Sequence, residues 1–195
     1  MQSKKNISTL NKINNIGTAL LSQRVLDIYG RITEGDYCGI SSKIKDFEND
    51  YIKDSKLDTI NVNINSISGD YDTGMAIYHA LKFSNLKVHT RITGMSGEIA
   101  SVIFLAGDER TMFPHSYFSL FNYGLHDPDV KEFEQYCEMH SDKLGKIYCI
   151  NEIVRNKTKL EEDVIVDMLF DRNIEIDAQK AMEYGITTME YYEMM

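Results

Sequence analysis

The clearest pattern in the chain lies between Thr59 and Ile64, where Ile60, Val62 and Ile64 alternate with Thr59, Asn61 and Asn63. Successive strand side chains point to opposite faces, so this run predicts a strand with one buried face. Residues 25–32 read as an earlier strand running into a turn, and residues 86–92 as a later one. Between them the period changes. Ile40, Ile44, Phe47 and Tyr51 recur at helical spacing within residues 38–52. Residues 65–71 read as a turn, and Gly74 opens a second helix running to Leu81. Strands separated by crossover helices imply an α/β protein with a largely parallel sheet.

The organising stretch is residues 94–107. The small residues Gly94, Ser96 and Gly97 form a tight turn after the third strand, and the apolar run from Ile99 to Ala106 follows, closed by Gly107. Strand, tight turn and buried helix is an arrangement that exposes one side chain at a helix N-terminus, beside free backbone N–H groups. The residue at the tip is Glu98. Beyond it, residues 111–113 and 117–121 read as short strands, and residues 122–129 as a loop containing Gly124 and Pro128. A long charged helix is predicted over 130–156, with Phe133, Tyr136, Leu144, Ile147 and Ile153 among its apolar positions. A helix over 160–169 follows, capped by Thr158 and carrying Glu161, Glu162 and Asp163 in its first turn. Residues 173–177 alternate like an edge strand, and residues 178–184 form a last helix closed by Gly185.

Composition narrows the function. The formal net charge is −9, which disfavours nucleic acid, and no aromatic and basic cluster offsets it. No apolar run approaches the roughly 18–20 residues that span a bilayer. Residues 1–12 are polar and lack the apolar core of a signal peptide, so a cytoplasmic protein is expected, of a microbe or of a host cell if the source is viral. Cys38, Cys137 and Cys149 form no Cys-x-x-Cys pair. Cys137 and His140 stand at i,i+3 with no second half-site, so neither a metal nor a cofactor is expected.

Residues 94–107 resemble the elbow of the Clp protease proteolytic-subunit (ClpP) family, Gly-x-Ala-Ala-Ser followed by an apolar helix ending Ala-Gly. The resemblance extends from about Val25 to Ile186. Ile64-Asn65-Ser66-Ile67-Ser68-Gly69 is similar to the family's Ile-Asn-Ser-Pro-Gly-Gly turn, with Ile67 in place of proline and Ser68 in place of the first glycine. Pro114-His115-Ser116 resembles Pro-Asn-Ser, and residues 177–185 resemble Ser-Ala-x-Glu-Ala-x-Glu-Tyr-Gly. The implied fold is the ClpP/crotonase-like spiral of β-β-α units, with a parallel sheet and a long protruding handle helix. Residues 1–22 would be an N-terminal arm or axial loop, 23–188 the ClpP-like domain with its handle over 124–156, and 189–195 a tail.

Carried over without gaps, the family's serine, histidine and aspartate fall on Glu98, Phe121 and Asn173, and its oxyanion-hole donors on Gly69 and Ile99. A serine triad needs a hydroxyl whose proton passes to an imidazole held by a carboxylate. Phenylalanine accepts no proton. The degenerate triad predicts a pseudo-protease in which Glu98 fills the oxyanion pocket as a self-ligand. A competing register gives an intact triad of Ser101, His126 and Asp171, at the cost of three shifts and of placing Ser101 one turn inside the helix. A third reading takes Glu98 as the general base of a crotonase-like enzyme, for which no partner acid stands out. The resemblance therefore implies a ring-forming structural or regulatory subunit of an ATP-dependent Clp-type system. Its partners would be copies of itself in a heptamer or stacked double ring, an active Clp subunit, or an AAA+ unfoldase.

Overall fold

The computed structural model describes residues 24–120, 141–170 and 174–189. Strand β1 (Val25–Ile32) leads into helix α1 (Glu34–Lys53), and strand β2 (Thr59–Gly69) into helix α2 (Tyr71–Lys82). Strand β3 (Lys87–Ser96) leads into the short helix α3 (Glu98–Phe104), followed by β4 (Glu109–Met112) and β5 (Tyr117–Ser119). Helices α4 (Ser141–Lys157) and α5 (Glu162–Phe170) precede β6 (Glu175–Asp177) and α6 (Ala178–Glu183). The strands form one sheet in the order β1-β2-β3-β5-β6, with β4 also on β3. Among the described residues all pairings are parallel except β5 with β6. This is the mixed α/β, mostly parallel sheet that the alternating pattern implies.

The sheet is apolar on one face. Ile60, Val62 and Ile64 are wholly buried, beside Leu26 and Ile28 of β1 and Val88 and Ile92 of β3. The crossover helices cover this face with Ile77, Leu81, Ile99 and Ile103. The other face is polar and cross-linked between strands. Asn63 donates to Asp27 at 2.9 Å, and His89 Nε2 meets Thr111 Oγ1 at 3.1 Å. That division explains why β2 reads as strict alternation rather than as the unbroken apolar run of a sheet covered on both faces.

Several boundaries differ from the sequence reading, each for a local reason. Residues 65–69 continue β2 instead of turning, because they keep parallel partners on β1 as far as Ile32 opposite Gly69. Helix α2 therefore starts at Tyr71, with the Asp70 carboxylate accepting the Thr73 N–H at 2.8 Å. Strand β3 likewise runs through Gly94 to Ser96, paired with Ser66. Thr158 closes α4 rather than opening α5, since its hydroxyl donates to the Val154 carbonyl at 2.8 Å. The expected helix over 130–156 is described only as α4. The expected N-terminal arm, the 122–129 loop and the Cys137/His140 pair lie outside the described residues.

Candidate functional site

The C-terminal ends of β1, β2 and β3 converge on the elbow, and each is irregular there. The β2–β3 register slips between Ile64 and Ser66, where β3 carries extra residues. The β1–β2 register slips between Tyr29 and Arg31, around Gly30 at φ +70°. Bulges of this kind bend a strand and re-aim its side chains. The Gly97 N–H donates to the Ser66 carbonyl at 3.0 Å and ties the turn to β2. Glu98 then adopts φ +47°, a left-handed conformation uncommon outside glycine, and begins α3. A strained residue between a strand and a helix is the backbone form of a nucleophile elbow.

The Glu98 side chain is half-buried. Burial raises its carboxyl above the ordinary glutamate value, while a hydrogen bond from the Gly69 N–H and the charge of Arg31 act in the opposite direction. Glu98 and Gly69 are thus brought together. Ile99 follows the tip, fully enclosed, with its side chain lying over Gly74. Gly69 also serves packing, because a Cβ there would run into Ile32 of β1.

Ser101 stands elsewhere. It is wholly buried, its hydroxyl donates to the Ser119 carbonyl at 2.7 Å, and its Oγ lies 3.1 Å from that of Ser96. Its backbone is ordinary helix. Phe121, Asn173, His126 and Asp171 lie outside the described residues. Among the described residues no group of three or more His, Cys, Asp or Glu side chains is placed to hold a metal ion.

Arg31 is the neighbour that no sequence motif singles out. Its guanidinium donates to Ser68 Oγ at 3.4 Å, beside Gly69. A cleft of about 590 Å³ opens next to it, lined by Arg31, Thr33, Tyr37, Asp70 and Thr73 among others. The Asp70 carboxyl sits below its ordinary value, held there by the Thr73 hydroxyl and N–H, with the charges of Lys146 and then Arg31 contributing.

Fold and elbow together define an α/β protein with a strained strand–turn–helix junction at the C-terminal ends of its parallel strands. A family model for Clp protease matches residues 8–189, and the chain belongs to the Clp protease family. It is 30% identical over 132 residues to an ATP-dependent Clp protease proteolytic subunit 2 of Treponema denticola, covering 65% of this chain and 63% of the relative. It is 31% identical over 134 residues to such a subunit of Pleurastrum terricola, covering 66% and 65%. The chain thus spans just under two thirds of the length of these relatives. A subunit of Ligilactobacillus salivarius is 28% identical over 180 residues, covering 84% of this chain and 87% of the relative. Among solved structures, ClpP1 from Listeria monocytogenes has a TM-score of 0.68 at 24% identity, covering 90% of this chain and 95% of that one. A point mutant of the same protein gives 0.70 at 22%. These likenesses show the fold.

Proposed function

We propose that this chain is a catalytically inactive ring subunit that acts as a structural or regulatory partner in an ATP-dependent Clp-type system. The observation that carries the reading is the carboxylate at the elbow tip, where half-buried Glu98 stands at φ +47° with the Gly69 N–H acting on its charge. A carboxylate there offers no hydroxyl to an imidazole, and its negative charge opposes the binding of a developing oxyanion beside it. Phe121 and Asn173 are the proposed counterparts of the missing histidine and aspartate, and Gly69 and Ile99 of the oxyanion-hole donors. Ser101, the nucleophile of the alternative triad with His126 and Asp171, has its hydroxyl committed to the Ser119 carbonyl in a closed core.

Loss of catalysis with retention of fold is compatible with selection on assembly, since ring interfaces do not require the elbow residues. The relatives' description as ATP-dependent subunits supports an AAA+ unfoldase or an active Clp subunit as partner, besides copies of this chain. Residues 124–156, whose described part lies in α4 with Tyr148 exposed on it, are the proposed handle between rings. No helix among the described residues is long and apolar enough to cross a membrane, in keeping with a proposed cytoplasmic site of action.

The test is intact mass after treatment with a fluorophosphonate, run beside a Ser101→Ala control and an active Clp subunit. No adduct on this chain, with labelling of the active subunit, is the expected result. An adduct that Ser101→Ala abolishes would overturn the reading in favour of the serine endopeptidase. A monomeric native mass, with recovery of none of the three partners, would remove the ring assignment.

A further inference from the structure

Two wholly buried serines flank the elbow tip, Ser96 at the end of β3 and Ser101 in α3. An enclosed hydroxyl is costly unless it is hydrogen-bonded. A serine inside a helix can satisfy itself on a carbonyl of the preceding turn. The Ser101 hydroxyl instead leaves its own helix and donates to the Ser119 carbonyl of β5 at 2.7 Å. A carbonyl only accepts, so this bond uses the one proton that Ser101 Oγ carries. In the 3.1 Å contact between the two hydroxyls Ser96 is therefore the donor. The result is a directed chain from Ser96 to Ser101 to the Ser119 carbonyl, whose members polarise one another.

This chain spans the elbow. Ser96 stands two residues before Glu98 and Ser101 three after it, so their bond joins the end of the strand to the body of the helix across the tip. Both flanks are fixed in turn. Ser96 pairs with Ser66 of β2 and Phe118 of β5, and the Gly97 N–H donates to the Ser66 carbonyl. Ser101 is held on β5 through Ser119. A residue with a Cβ in the left-handed region, as Glu98 is at φ +47°, persists only where its surroundings over-determine it. We infer that Ser101 is a positioning residue of the elbow: with Ser96 and the Ser119 carbonyl it forms a buried clamp that holds Glu98 in this conformation. The inference deepens the function proposed above, and rests on it for Ser101 as a structural hydroxyl rather than a nucleophile. The clamp acts on the backbone of the tip, so it strains whatever L-residue stands at position 98.

The experiment is urea denaturation of the full chain, comparing Glu98→Gly with Glu98→Ala in two backgrounds, wild type and Ser96→Ala/Ser101→Ala. With both serines present, Glu98→Gly should fold about fivefold more favourably than Glu98→Ala, the relief of one left-handed residue. Without them the tip is free to leave that region, and the ratio should fall below about twofold. A ratio unchanged in the serine-free background would overturn the clamp, because hydroxyls that only fill the core act regardless of residue 98. No difference in the wild-type background would also overturn it, since a held tip stays strained. The direction of the chain is read from the single variants. Ser101→Ala strands the buried Ser96 hydroxyl without an acceptor, whereas Ser96→Ala strands no donor. Ser101→Ala should therefore lower Tm by about 3–8 °C against about 1–4 °C for Ser96→Ala, and by less in the Ser96→Ala background. Additive effects would overturn the directed chain. If the double variant does not fold, Ser96→Ala alone serves as the second background, because it opens the bond across the tip and leaves Ser101 on β5. A fluorophosphonate adduct on the wild-type chain would sink catalytic inactivity, while these equilibria report on the clamp alone, so the two failures are separable.

Discussion

At the scale of single residues, the elbow turns on a backbone conformation. An L-residue with a Cβ held at φ +47° carries a conformational cost that glycine escapes, about 1 kcal/mol. Two truncations at Glu98 separate this cost from the side-chain contacts. Glu98→Ala and Glu98→Gly both remove the carboxylate, but only the second relieves the backbone. Glu98→Gly should therefore be more stable than Glu98→Ala by about 1 kcal/mol in urea denaturation. Equal stabilities would mean that the tip relaxes out of the left-handed region once the carboxylate is gone. Glu98 itself was legible in the sequence, because Gly94, Gly97 and the apolar run to Gly107 frame it without gaps. Arg31 was not. It lies in a different strand, and only a register slip in a pairing that no motif encodes brings it to the turn. The enclosure of Ser101 was foreseeable from its place three residues into an apolar helix, whereas its bond to the Ser119 carbonyl depends on where β5 runs.

At the scale of elements, the elbow is fixed by how α3 sits on α2. Gly74 lies in the first turn of α2, and a Cβ built there would penetrate the Ile99 side chain. Ile99 is fully buried and immediately follows the tip, so it has no direction in which to yield without moving Glu98. Gly74→Ala should cost about 1–3 kcal/mol by overpacking, despite alanine's better helix propensity. Ile99→Val in the Gly74→Ala background should recover part of that loss, which distinguishes a steric clash from a general weakening of α2. Periodicity located every crossover of the first half of the chain because β1, β2 and β3 each bury one face and the intervening helices bury a stripe. It misplaced the ends for one physical reason. The bulged segments 65–69 and 93–96 contain glycine, serine and asparagine, which signal turns in isolation. Here they remain in the sheet, because their hydrogen bonds go to a neighbouring strand and a single sequence does not reveal that neighbour. The Thr158 boundary was lost similarly, since a threonine that opens one helix and one that closes the helix before it look alike until the hydroxyl is seen to choose the Val154 carbonyl.

At the scale of the whole molecule, three titrating groups act on global stability with different signs. His89, on the polar face of the sheet, is almost wholly buried, and its pKa is pushed down to about 4 by burial and by Arg91, with Lys87 adding to the shift and Glu109 opposing it. In the unfolded chain a histidine titrates near 6.5. Between these values the unfolded chain binds more protons than the folded one, so stability falls as the pH drops from about 6.5 towards 4 and is fully present above that range. Glu98 works the other way. Its carboxyl is raised in the fold, so within its own window the folded chain binds more protons, and its contribution declines as pH rises. Asp70, held below its ordinary value by its cap bonds, contributes above the unfolded aspartate value and is lost only as the pH falls further, through its depressed value. The first part of the acid limb therefore belongs to His89. The wild-type Tm should drop steadily between pH 7 and about 4.5, and His89→Gln should flatten that drop, because glutamine has no proton to take up and can still meet Thr111. An acid limb of unchanged slope in His89→Gln would assign the loss to carboxylates instead. In that case Glu98→Gln, which removes a stabilising response to acid, should make the limb steeper.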